Sequence, residues 1–117
     1  MLSCRSCIVA LVAVVNFAAL PLAAQPGKVA NIAGTQWSGP DSNGSFYTYY
    51  FERNGRLTYR SPSGTYRNGT WAQNCDMVYF EMNDGYCEHI GDIRGNTMRG
   101  LAGNVTGAMW LWDATKD

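Results

Sequence analysis

The sequence predicts an all-β protein, a single small up-and-down antiparallel β-barrel of about eight short strands that follows an N-terminal signal peptide. Three observations carry that expectation. The stretch from Gly85 to Trp112 alternates residue by residue, breaks at Gly95-Asn96 and Thr106-Gly107, and ends on Trp110 and Trp112 two positions apart. That is the pattern of three successive antiparallel strands. Beyond the leader, apolar residues never recur at spacings of three and four for long enough to mark a helix, and Gly and Asn interrupt every window. Short strands joined in sequence by tight turns favour a closed meander, because closure removes the exposed edges of an open sheet.

The leader is read from its layout. Arg5 supplies a positive charge, Ile8 to Leu20 is almost wholly apolar, and Pro21-Leu22-Ala23-Ala24 places small residues before Gln25. This is how a secretory signal peptide is built, so residues 1–24 are expected to be removed. The apolar run falls short of the roughly 20 residues that span a bilayer, and no stable membrane insertion is expected. Cys4 and Cys7 leave with the leader. The mature protein is then expected to be secreted or periplasmic, and its about 93 residues suffice for one domain. Residues 25–33, small and polar with Pro26 and Gly27, read as a flexible arm. Residues 34–117 are the barrel domain.

Within that domain the first strand is Gly34 to Gly39, with Trp37 placed to plug one end of the core. Pro40 to Gly44 turns the chain into Ser45 to Glu52, whose two faces are both rich in aromatic residues: Tyr47, Tyr49 and Phe51 on one, Phe46, Thr48 and Tyr50 on the other. Asn54-Gly55 is a hairpin turn, since both residues tolerate the positive φ that such a turn needs. Arg56 to Ser61 follows, then a turn at Ser61-Pro62-Ser63-Gly64, then Tyr66 to Ala72, in which Asn68-Gly69 is either a bulge or the turn itself. Met77 to Met82 sets Val78, Phe80 and Met82 on one face. Tyr86 to Arg94, a two-residue turn at Gly95-Asn96, Thr97 to Ala102, a loop at Gly103 to Gly107, and Ala108 to Ala114 complete the meander. Met98, Gly100 and Ala102 share a face, and their small members leave room for Trp110 and Trp112 on the neighbouring strand.

The Gly34-Thr35-x-Trp37 start, the turn-rich meander and the Trp110-x-Trp112 close resemble the small secreted barrels of the lipocalin and avidin group. The resemblance implies a closed antiparallel barrel and a small apolar ligand. Two residues separate Gly34 from Trp37 where lipocalins usually have one, no helix follows the last strand, and no ligand-binding motif of either group can be carried over.

Chemistry narrows the choice further. Without Arg5 the chain carries eight Lys and Arg against nine Asp and Glu, with the arginines scattered, so it lacks the basic stripe of a nucleic-acid binder. His89 is the one histidine, expected at the surface or the rim, and with two cysteines it makes no zinc set. Cys87 and His89 share a face, yet an extended strand holds their Cβ atoms about 6 to 7 Å apart, too far for a nucleophile pair. Glu52, Glu81, Glu88 and Asp92 have nothing in the sequence to bring two of them together for glycoside chemistry. Asn43, Asn68 and Asn104 stand in glycosylation sequons, two of them already explained by Asn-Gly turns. No enzyme activity, cofactor or metal is expected.

Cys75 and Cys87 are left open. An oxidising compartment favours a disulfide. A turn at Asn83-Asp84-Gly85 would set Cys87 opposite Glu81, about 20 Å from Cys75, against the roughly 7 Å between Cα atoms that a disulfide tolerates.

Two functions remain. In one, a monomeric barrel holds a small apolar ligand between Trp37, Tyr49, Phe51, Tyr59, Trp110 and Trp112. In the other, the barrel is solid and Tyr47, Tyr50, Arg60 and Arg67 form a surface for a protein partner, such as a secreted enzyme that it inhibits.

Overall fold

The computed structural model describes residues 29–117, in which the chain forms eight strands and no helix. These are β1 Thr35–Pro40, β2 Phe46–Phe51, β3 Arg56–Ser61, β4 Gly64–Asn74, β5 Met77–Met82, β6 Cys87–Arg94, β7 Thr97–Asn104 and β8 Met109–Lys116. Each pairs antiparallel with the next, and β8 returns to β1, closing the barrel. This is the predicted fold. The expected leader at 1–24 lies outside the described residues. The seam between β1 and β8 is short in register, and Asp117 reinforces it: its backbone N–H donates to Gln36 at 2.9 Å, and its carboxylate accepts from Gln36 Nε2 and Ser38 Oγ, each at 2.8 Å.

Closure puts alternate residues inside. The row Gly91–Gly100–Trp112 runs directly across β6, β7 and β8 on the inner face; Gly91 vacates space that the Trp112 ring enters, and Gly100 lets the β6 backbone approach. A methyl on Gly100 would lie 1.8 Å from the Ile90 carbonyl oxygen, and one on Gly91 would lie 2.7 Å from the Trp112 ring. The expected partnership of small and large residues on the last strands is thus set by register: Gly100 faces Trp112, and Ala102 faces Trp110.

The structure corrects two local expectations. β4 starts earlier and ends later than Tyr66 to Ala72, because the preceding turn needs only Pro62 and Ser63 between the pair Ser61–Gly64. Asn68-Gly69 lies within this strand, at a bulge where β4 has one residue more than β3 between the pairs Leu57–Gly69 and Tyr59–Tyr66. The extra residue turns the Asn68 side chain to accept hydrogen bonds from the Tyr59 hydroxyl and the Asn83 backbone.

The β5–β6 turn takes in Tyr86 as well as Asn83, Asp84 and Gly85, whose φ angles are all positive at 57°, 53° and 90°. Cys87 therefore pairs with Met82 rather than Glu81. A one-residue slip changes every cross-strand pair: Phe80 meets His89 inside, and Glu81 meets Glu88 outside.

Of the segment expected as a flexible arm at 25–33, residues 29–33 are described. Ile32 is 2% exposed and closes one end of the core, its N–H donating to Gln73 Oε1 at 3.0 Å while Gln73 Nε2 donates to the Ala30 carbonyl. An apolar side chain over an open barrel end is removed from water, which offsets the lost chain entropy.

Candidate functional site

Trp37, Tyr49, Phe51, Tyr59 and Trp112 all point inward and are at most 6% exposed, with Trp110 half-buried against them. They belong to one buried cluster, and Tyr49, Phe51 and Trp112 pack against Phe80. Phe80 lies 5.0 Å from Tyr49, 5.5 Å from Phe51 and 5.2 Å from Trp112 between ring centroids, with planes tilted or edge-on. Those are the separations at which aromatic rings attract through their edges and faces. An eight-stranded barrel is just wide enough for its side chains to fill it, and here large rings fill the middle. The residues expected to surround a ligand are brought together as packed core.

His89 belongs to that core, which corrects its expected place at the surface or rim. It is 2% exposed, stacks on Phe80 at 4.5 Å, and is met by Trp112 at 5.6 Å and by Tyr49 and Trp110 at 6.2 Å each. Its Nδ1 has no hydrogen-bond partner. Burial disfavours the charged ring and lowers its pKa to about 4, so it is a neutral aromatic filler at ordinary pH. Burial also pushes the Cys87 thiol up, the opposite of what a nucleophilic cysteine needs. The strand pattern held the signal for the burial of His89. Glu88, Asp92 and Arg94 occupy the alternate positions and must face water, leaving Cys87, His89, Gly91 and Ile93 to face inward.

No disulfide joins Cys75 and Cys87. Cys75 sits in the β4–β5 turn next to the pair Asn74–Met77, and Cys87 pairs with Met82 at the other end of β5. Five residue steps along β5 separate those ends by about 17 Å, well beyond disulfide reach. Among the described residues no group of three or more His, Cys, Asp and Glu could hold a metal ion, and no helix is long and apolar enough to cross a membrane.

The outer wall divides into two unlike halves. Over β2 to β4 it carries Tyr50, Arg56, Arg60 and Arg67 among threonines. Of the surface group expected from the sequence, Tyr50, Arg60 and Arg67 face out, whereas Tyr47 turns in and stacks on Tyr49 at 5.8 Å. Over β5 to β8 the wall carries an apolar row, with Glu81, Glu88, Asp92, Arg94, Arg99 and Asp113 at the outward positions around it. Register sets Tyr79 opposite Ile90, Ile90 opposite Leu101 and Leu101 opposite Leu111, a continuous row across four strands with exposures from 38% to 61%.

A groove of about 380 Å³ opens beside this row. Tyr79, Tyr86, Ile90, Leu101, Val105 and Met109 line it, together with Glu88. The loops that contribute to it are braced. Val105 N–H donates to the Tyr86 carbonyl at 3.1 Å, and Asn104 Oδ1 accepts from Thr106 N, Thr106 Oγ1 and Ala108 N.

At the groove edge Glu81 and Glu88 stand directly opposite each other. Tyr79 donates its hydroxyl to Glu81 Oε2 at 2.7 Å, and this bond pushes the phenol pKa up to about 12. Sequence reasoning missed this surface. Its signal was that Met109 and Leu111 alternate with Trp110 and Trp112, so the first half of β8 is apolar on both faces.

Comparison with known proteins found no matching family model, no matching curated protein and no matching solved structure.

Proposed function

We propose that this protein is a small exported binding module whose barrel is solid and whose outer wall makes the contacts. One observation carries the reading: the ring-to-ring packing of Tyr49, Phe51, Phe80, His89 and Trp112 occupies the space in which a hollow barrel would hold its ligand. The lipocalin-like resemblance then concerns a scaffold, a closed meander that presents a rigid surface, rather than a carrier of small apolar molecules. Export fits the leader-like start of the sequence, and a protein partner fits a wall that carries two chemically different halves.

Native mass spectrometry of the mature protein, recovered from an oxidising compartment, tests this. A bare chain is expected, and added hydrocarbon ligands should leave tryptophan fluorescence unchanged. A persistent adduct with the mass of a small apolar molecule, lost on unfolding, would make the protein a carrier and overturn the reading.

A further inference from the structure

We propose that the groove beside Tyr79, Ile90 and Leu101 docks a polypeptide segment of a partner protein, one that presents a large apolar side chain next to an arginine or lysine. The inference rests on the reading that this barrel works through its outer wall, and it names the place and the chemistry.

Three observations lead there. First, the sheet closes on itself through β1 and β8, so no free edge is offered and a partner cannot bind by adding a strand. Recognition must come from side chains entering a depression in the wall. Second, the groove has the make-up of an anchor site. Its lining is mostly apolar, from Tyr79, Tyr86, Ile90, Leu101, Val105 and Met109 with Glu88 beside them, and its loops are held together before anything binds by the Val105–Tyr86 and Asn104 hydrogen bonds. A pocket shaped in advance loses little entropy on binding, and a desolvated anchor in such a pocket carries most of the energy of an interface.

Third, the charge at the edge is unbalanced. Glu81 and Glu88 are direct cross-strand neighbours, an arrangement that disfavours the sheet. Along that row towards β8, Glu88 pairs with Gly103 and Gly103 with Met109, so no basic side chain follows on the groove side; the other way, Glu81 pairs with Thr70, and Arg56 comes only on the strand beyond. A cation beside the anchor would relieve the repulsion and fix the orientation of the segment. Of the described arginines, Arg53, Arg56, Arg60 and Arg67 lie over β2 to β4, while Arg94 and Arg99 lie on β6 and β7. A second copy seated groove to groove would bring two acidic pairs together, which disfavours that occupant.

A random peptide library displayed on phage and selected on the mature protein tests the proposal, with the selected peptides then titrated into ¹⁵N-labelled protein. Enriched peptides should combine Leu, Phe or Trp with Arg or Lys, and the amide shifts should centre on Tyr86, Ile90, Leu101, Val105 and Met109. Leu101→Glu and E88K should each weaken binding by at least about 10-fold. Thermal unfolding reports whether those variants remain folded, and the shift map on the unaltered protein stands without them. Replacing the basic residues of a selected peptide by Glu should abolish binding.

Shifts centred on Tyr50, Arg60 and Arg67 instead would overturn the groove while leaving the outer-wall reading intact. Shifts centred on Trp37, Phe51 and Trp112 would overturn both. Selection of acidic peptides, failure to select any apolar-basic peptide, or concentration-dependent self-association through the same amides would each overturn the proposed occupant.

Discussion

Strands β5 to β8 carry an apolar row on each face, yet the two rows stand in opposite physical situations. On the inner face Val78 and Phe80 are fully buried and Met98, Ala102 and Trp112 are at most 2% exposed, whereas on the outer face Ile90, Leu101 and Leu111 are 47%, 39% and 61% exposed. The same residue types therefore do different work a single position apart. Inside, each ring is removed from water and touches others, so it holds the fold. Outside, the apolar area is still in water, and its transfer free energy is available only to a partner.

The largest expected effect sharpens that contrast. Phe80→Ala removes the ring at the centre of the aromatic cluster and should cost about 3 to 5 kcal/mol. Leu101→Ser, on the outer row, should change stability by no more than about 0.5 kcal/mol. Denaturant midpoints with unchanged slopes would measure both. A Leu101→Ser variant as unstable as Phe80→Ala would mean that the outer row supports the fold, and the contrast would collapse.

A second way to break the comparison uses acid. His89 is the titratable ring of the inner face, with its folded pKa lowered to about 4 from the ordinary 6.5. Below about pH 6.5 the unfolded chain takes up a proton that the folded chain refuses, so stability is present above that pH and falls as pH drops towards 4. The loss attributable to this group approaches about 3 kcal/mol by pH 4 and then levels off. Tyr49 and Cys87, which also face inward near it, keep their protons throughout because burial raises both. Urea unfolding of the protein and of His89→Phe across this range isolates the effect, since the surface carboxylates are common to both. Parallel pH profiles would show that the imidazole is hydrated when folded and that the core is looser than its packing indicates.

The barrel itself was legible because alternation and turn chemistry are local. Asn54-Gly55 and Gly95-Asn96 fix two hairpins, and positions such as Leu57 and Tyr59 alternate cleanly with arginines. The site was less legible, for two physical reasons. Whether Trp37, Tyr49 and Phe51 surround a space or fill it depends on how many rings meet at the barrel axis, a property of closure and shear that no single strand carries. The pairing of Glu81 with Glu88 depends on whether the β5–β6 turn has three residues or four, and the inclusion of Tyr86 was not readable from turn composition alone. His89 is the instructive case, since its strand pattern pointed inward while its residue type pointed outward, and the pattern won.

The smallest effect lies at the groove edge. Glu81 is half-buried beneath the Tyr79 hydroxyl bond, and Glu88 is exposed opposite it, so water screens much of their repulsion. Glu88→Gln keeps the shape and removes one charge, and it should stabilise the barrel by a few tenths of a kcal/mol, about 1 at most. Added salt should raise the melting temperature of the unaltered protein more than that of the variant, because only the former has the repulsion to screen. If the variant is instead less stable, with the same response to salt, then Glu88 makes a favourable contact in the free protein. The acidic edge would then be part of the fold, and the difference between the two faces of these strands would be smaller than their exposure implies.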